Sequence, residues 1–209
     1  DFVTGGEQGT YFAFGTVLAQ QVSDKTATKV TAVASNGSQA NVEDLAGAAA
    51  QLGFVQSDVL SYAYNGEKLF TDKVSDIRVV AALYMEQVQI VTLNKDIKSV
   101  ADLKGKTVSI GAKGSGVYFN ALDILGAYGL SESDIKAEYL NFGDSTDSLK
   151  DGKIDAAFVV SGAPTPAVQD LSTGKQVYLV SLDKEHVDSL IKTSPYYKEY
   201  TIAQEVYNT

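Results

Sequence analysis

The stretch Thr107-Val108-Ser109-Ile110-Gly111-Ala112-Lys113-Gly114-Ser115-Gly116-Val117-Tyr118-Phe119 decides how the chain is read. It passes from a β-branched apolar run through a glycine-rich turn into a helical pattern. Glycine lets the backbone approach a ligand closely, and the free N–H groups of a first helical turn attract an anion. The segment Thr4-Gly5-Gly6-Glu7-Gln8-Gly9-Thr10-Tyr11-Phe12 repeats the arrangement about half the chain earlier. Both turns follow an apolar run and open a helix, so the echo predicts two similar α/β lobes.

Strand-like runs fall at 2–4, 30–34, 52–55, 79–84, 88–93, 107–111, 137–140, 156–160 and 177–182, and helix-like stretches at 12–22, 41–50, 59–70, 117–129, 145–150 and 166–171. Their alternation predicts α/β layers with largely parallel sheets. Acidic residues Glu43 and Asp44 mark the first turn expected for the helix at 41–50, Gly129 is the expected terminator of the helix at 117–129, and Pro166 suits a first helical position. The run 88–93 reads as a crossover. Lobe one is expected over 1–92, with residues after about 185 returning to it, and lobe two over 93–184.

Two nucleotide readings fail on detail. Gly105-Lys106-Thr107 resembles the end of a phosphate loop, but Val100 stands where its first glycine is required. The order of Gly111, Gly114 and Gly116 is wrong for a dinucleotide fingerprint.

Composition narrows the function. With 17 basic and 26 acidic residues the net charge is −9, which argues against nucleic acid as a partner. Cysteine is absent, His186 is the only histidine and Arg78 the only arginine. No thiol nucleophile, zinc cluster or two-histidine metal site is available, and no metal or cofactor is expected. His186 reads as a solvated residue on a helix face. No carboxylate pair with a nucleophile stands out, so the chain reads as a binding protein and not an enzyme.

Beside the two glycine loops, Ser35-Asn36-Gly37-Ser38-Gln39-Ala40-Asn41 offers amides and hydroxyls at a helix start, and Gln56-Ser57-Asp58 ends an apolar run where α/β proteins place ligand contacts. Asp58 has a second reading as a cap for the helix that follows. Tyr84 sits at the proposed hinge. Arg78 is expected outside the site, because it precedes its strand instead of ending it.

These pieces in order resemble a known family: the solute receptors of tripartite ATP-independent periplasmic (TRAP) transporters, of the TAXI type. The matching segments are Thr4-Gly5-Gly6 through Tyr11-Phe12, Gly37-Ser38 with Asn41, Gln56-Ser57-Asp58-Val59, Leu83-Tyr84, Val88-Gln89-Ile90-Val91, and Asp102-Leu103-Lys104-Gly105-Lys106 leading into Val108-Ser109-Ile110-Gly111. Gly114-Ser115-Gly116, Asp151-Gly152-Lys153-Ile154-Asp155-Ala156-Ala157-Phe158, Gly162 with Pro164, and Pro195-Tyr196-Tyr197 complete the set. Lys113 departs from it, since members often carry an uncharged residue there.

The resemblance implies a two-lobed periplasmic-binding-protein fold of type II, closing over a small anionic solute between the lobes. Glutamate, glutamine and related dicarboxylates or oxoacids are the implied ligands. It implies delivery to integral membrane subunits, an extracytoplasmic location after loss of a signal peptide, with a lipid anchor as one option, and a monomer. It also implies a late return segment to lobe one, most of which this sequence is expected to lack. The ligand-contact set is Thr10, Tyr11, Ser38, Asn41, Gln56, Ser57, Asp58, Tyr84, Gly114, Ser115, Gly116 and Gly162. Two rivals use the same cleft: a two-lobed transferase or isomerase, and a ligand-sensing surface domain.

Overall fold

In the computed structural model, which describes residues 1–207, the chain divides into two compact units. One comprises Asp1–Tyr84 with Gly114–Gly116, and the other comprises Met85–Lys113 with the chain from Val117 onward.

The first unit is built from three strand–helix pairs: β1 (Phe2–Val3) with α1 (Thr10–Lys25), β2 (Ala32–Val33) with α2 (Ser38–Ala46), and β3 (Leu52–Gly53) with α3 (Ser57–Asn65). The strands are parallel in the order β2-β1-β3, with Phe2 opposite both Ala32 and Leu52. Every helix therefore begins just beyond the carboxyl end of its strand, the edge at which open α/β sheets hold ligands.

Helix boundaries here differ from expectation at informative places. The second helix starts at Ser38 because Gly37, at φ 110°, turns the chain directly into it. Glu43 and Asp44 consequently lie in its middle, and its first turn has no acidic residue. The third helix stops at Asn65, where Gly66 takes the left-handed conformation, instead of running to residue 70. The run 79–84, expected as a strand, is in no sheet among the described residues. Val80 there is 84% exposed. A strand needs a ladder partner as well as β-branched residues, and this run has only the latter.

The second unit contains β4 (Gln87–Thr92), β5 (Thr107–Ser109), α4 (Gly116–Ala127), β6 (Lys136–Glu138), α5 (Phe142–Lys150), β7 (Ala156–Ser161), α6 (Pro166–Gly174), β8 (Tyr178–Leu179) and α7 (Lys184–Thr193). The sheet order is β6-β5-β7-β4-β8, with β5 parallel to both of its neighbours and β4 antiparallel to β7 and β8. Alternate residues of β7 face opposite layers. Phe158 and Val160 pack with Ile90, Ile110, Ile124 and Leu125, while Ala157 and Val159 pack with Val91, Leu149, Val168, Leu171 and Tyr207. Burial on both faces explains why β7 is one continuous apolar run.

The division after Tyr84 differs from the boundary expected near Leu93. The reason is the six-residue ladder of β4 with β7, Gln87 opposite Ser161 through Thr92 opposite Ala156, which seats the supposed crossover in the second unit's sheet. Residues beyond 185 also belong to the second unit, where Tyr207 is buried. Pro166 is at the start of α6 and Gly129 is left-handed beyond α4, as the sequence predicts.

Candidate functional site

Thr10, Ser38 and Ser57 are the first residues of α1, α2 and α3, so the parallel sheet brings three expected contacts to one edge. None of these helices has a side-chain cap: α1 and α2 are preceded by Gly9 and Gly37, and Gln56 makes no capping bond. In the second unit α5 and α7 are capped by a side chain, whereas α6, entered through Thr165, is not. Asn141 accepts from Asp144 N before α5, and Asp183 accepts from His186 N before α7. The edge of the first unit thus keeps first-turn N–H groups without side-chain acceptors at the cap position.

The Gly114–Gly116 segment lies against this edge. Ala40 N donates to Gly114 O at 3.0 Å. A β-carbon on Gly37 would come 3.5 Å from Ser115 Cα, and one on Gly116 would come 1.9 Å from Gln56 Oε1. These glycines permit close backbone approach, and Gly37 and Gly114 additionally hold positive φ. Gly116 also opens α4, which adds a fourth helix start to the cluster.

Ser115 is only 5% exposed, and its Oγ has no hydrogen-bond partner among the described residues. A buried hydroxyl left unpaired costs about 1–3 kcal/mol, so its retention points to a partner that is not protein. Gln39 was not expected at the site. Its Oε1 is likewise buried without a partner among the described residues, while its Nε2 donates to Glu43. A lone Gln on a helix offers no signal for this in sequence.

An aromatic group closes one side. Tyr11 stacks on Phe54, with centroids 4.9 Å apart, and meets Tyr84 edge-on at 6.4 Å. The Tyr11 hydroxyl is 3.5 Å from Ser38 Oγ, which accepts from Gln56 N at 3.0 Å. Asp58 is buried, and its Oδ1 accepts from Val59 N at 2.8 Å and from Gln56 Nε2 at 3.4 Å.

Asn41, expected as a ligand contact, is engaged by the first unit's own backbone. It is fully buried; its Nδ2 donates to Thr4 O at 2.6 Å and Phe54 O at 2.7 Å, and its Oδ1 accepts from Ser35 Oγ at 2.6 Å. That amide ties the ends of β1 and β3 to α2 and is consumed in doing so. Arg78 donates through Nη1 to Ser75 O and Ile77 O, and it lines one cavity together with Ser57 and Leu60.

Gly162 belongs to the second unit, where it follows β7; its carbonyl accepts from Thr165 Oγ1 at 2.8 Å. Lys113, also in the second unit, lies over the Tyr139 ring at 5.2 Å. The only histidine stacks on Tyr128 at 3.6 Å and pairs with Asp183, so it is a packed helix-end residue more than a solvated one. Among the described residues no group of three or more His, Asp or Glu is placed to hold a metal ion.

The family model of NMT1-like proteins matches residues 2–209. Among solved structures, the alkanesulfonate-binding protein SsuA from Xanthomonas axonopodis pv. citri, bound to MOPS, matches with a TM-score of 0.58 at 21% identity, over 86% of this chain and 59% of that one. An ancestral arginine-binding protein bound to arginine matches at 0.59 with 17% identity, over 86% and 77%. The truncated arginine-binding protein ArgBP from T. maritima matches at 0.60 with 14% identity, over 93% of each chain. The present chain therefore spans just over half the length of the sulfonate-binding structure. At these identities the likeness establishes the fold, a two-sheet α/β architecture of the type II periplasmic binding proteins.

Proposed function

Because the chain belongs to the NMT1-like family, we propose that it is the extracytoplasmic solute receptor of a transporter and not an enzyme. It holds a small anionic solute at the carboxyl edge of the first unit's sheet. The observation that carries this reading is the buried Ser115 hydroxyl without a protein partner, at the start of α4 beside the uncapped starts of α1, α2 and α3. An anion's oxygen would complete that hydroxyl and the adjacent N–H groups together. The likeness to proteins described as binding sulfonates and arginine supports a solute-binding role.

The finer reading is a TAXI-type TRAP receptor that works as a monomer with integral membrane subunits. Its solute is glutamate, glutamine or a related dicarboxylate or oxoacid. Thr10, Tyr11, Ser38, Gln56, Ser57, Asp58, Tyr84, Gly114, Ser115, Gly116 and Gly162 are its contacts. The unpartnered Gln39 acceptor favours a solute that also carries an N–H donor, as glutamate and glutamine do.

Calorimetric titration of the purified chain with glutamate, glutamine, 2-oxoglutarate, succinate and an alkanesulfonate tests the reading. Saturable binding of a carboxylate, weakened by Ser115→Ala, is the expected result. Binding of the sulfonate alone moves the solute class. Binding that Ser115→Ala leaves unchanged overturns the site.

A further inference from the structure

Three side chains in the second unit form a closed hydrogen-bond ring beneath the loop that carries Gly162. Gln89 in β4, Thr165 at the start of α6 and Tyr207 near the end of the described chain are each no more than 2% exposed. The Tyr207 hydroxyl donates to Gln89 Oε1. Gln89 Nε2 donates to Thr165 Oγ1 at 2.9 Å, and Thr165 N donates to the Tyr207 oxygen at 2.7 Å. Thr165 Oγ1 passes its own proton to Gly162 O at 2.8 Å.

The direction of every bond is forced. A backbone amide can only donate, so the phenol must accept from Thr165 and spend its single proton on Gln89. The threonine proton is used on Gly162, so its oxygen must accept the Gln89 amide N–H. Two residues away on the same face of β4, Gln87 Oε1 accepts from Ala163 N at 2.8 Å. The backbone from Gly162 to Thr165 is thereby fixed by two glutamines of one strand and by a tyrosine more than forty residues downstream.

We infer that Tyr207 is a positioning residue: it sets the conformation of the Gly162–Thr165 loop and, through it, the affinity for solute. The second half rests on the solute-receptor reading, in which Gly162 is a contact. The first half does not. Deleting the phenol oxygen strands a buried acceptor on Gln89 and a buried donor on Thr165, a larger loss than one surface bond.

The test compares Tyr207→Phe with Tyr197→Phe in the ligand-free chain. Tyr197 also bonds through its phenol, accepting from Asn120 and donating to Asp123, and it packs against the other layer of the second unit's core. Amide hydrogen exchange at Ala163 and Thr165 is expected to accelerate roughly ten- to hundredfold in Tyr207→Phe, as two stranded buried groups imply, and to stay near wild type in Tyr197→Phe. Equal acceleration in both variants, or none in Tyr207→Phe, overturns the inference. If Tyr207→Phe does not fold, Gln89→Leu, which removes the acceptor of the Tyr207 hydroxyl and leaves Thr165 and Tyr207 in place, is read at the same amides against the same control, with the same two outcomes. Glutamate titration then adds the second readout. A raised Kd in Tyr207→Phe supports the link to solute, and an unchanged Kd with a loosened loop refutes it. If the wild-type chain binds no solute offered, the receptor reading fails while the exchange comparison still decides the role of Tyr207.

Discussion

The amide oxygen of Gln56 occupies the space that a β-carbon on Gly116 would need, 1.9 Å from where that carbon would lie. Gly116 is the first residue of α4, where alanine is the better helix former by about 1 kcal/mol. A flexible glutamine can swing away, so Gly116→Ala is expected to leave thermal stability unchanged or slightly raised. The displaced Gln56 would nonetheless spoil the site, and solute affinity should fall by tenfold or more. Differential scanning calorimetry beside isothermal titration reads both effects; a large drop in melting temperature would show that Gly116 serves packing instead.

Ser115→Ala separates stability from binding in a different way. The hydroxyl it removes is buried and without a partner among the described residues, so the empty protein should lose nothing and gain up to about 1 kcal/mol on unfolding in urea. Affinity should fall by about 0.5–1.5 kcal/mol, and by more if the lost bond is to a charged oxygen. A destabilised empty protein would mean that the hydroxyl is already satisfied without solute.

Asn41→Ala should do the opposite. It removes three short hydrogen bonds from a fully buried side chain and strands the carbonyl of Phe54, while Thr4 O keeps Ser35 Oγ at 3.1 Å. A loss of about 2–4 kcal/mol is expected from equilibrium denaturation. A cost below about 0.5 kcal/mol would contradict the structural role assigned to it.

The Asp183 carboxylate predicts an acid response in the second unit. Its bonds to His186 and Tyr128 hold it down at about 2, against an ordinary 3.8. A folded-state value below the unfolded one means that the unfolded chain binds the proton first. The stabilising contribution is therefore complete above pH 3.8 and is lost as pH falls toward 2. Asp183→Asn should flatten that stretch of the stability curve, measured by urea midpoints across acid buffers. An unaltered slope would exclude Asp183 as its source.

How far the fold was legible follows from what each signal measures. The strand, glycine turn and helix at 107–119 are local events, and their residues specify them without help. The same holds for Gly129 beyond α4, while the helices expected from residues 12 and 59 begin two residues earlier, at Thr10 and Ser57. The run 79–84 was misread because apolar β-branched residues state a preference, while a strand exists only with a neighbour to pair with. The run 88–93 is a strand as expected, but nothing within it tells which sheet it joins; the partner, β7, lies some seventy residues on. The same limit governs the site. Ser38, Gln56 and Ser115 each sit at a turn that is visible in sequence, and the structure brings them to one edge. Asn41 was named for its type, and only the structure shows its amide consumed by Thr4, Phe54 and Ser35. Tyr207 gave no signal at all, because its partners are distant in sequence and apolar surroundings bury it.

The glycine before α1 bears on anyone who wishes to make this protein more robust. Gly9 has φ −107° and ψ 165°, an extended geometry that any residue adopts, so serine or aspartate would fit and would cap the helix. Such a change is a standard route to thermostability and would add a few tenths of a kcal/mol over glycine. In the receptor reading it would also put the chain's own oxygen where an oxygen of the solute is proposed to sit. Stability and receptivity compete for the same backbone N–H groups there, and directed evolution for heat resistance alone should drift toward a sturdier protein that no longer takes up its cargo.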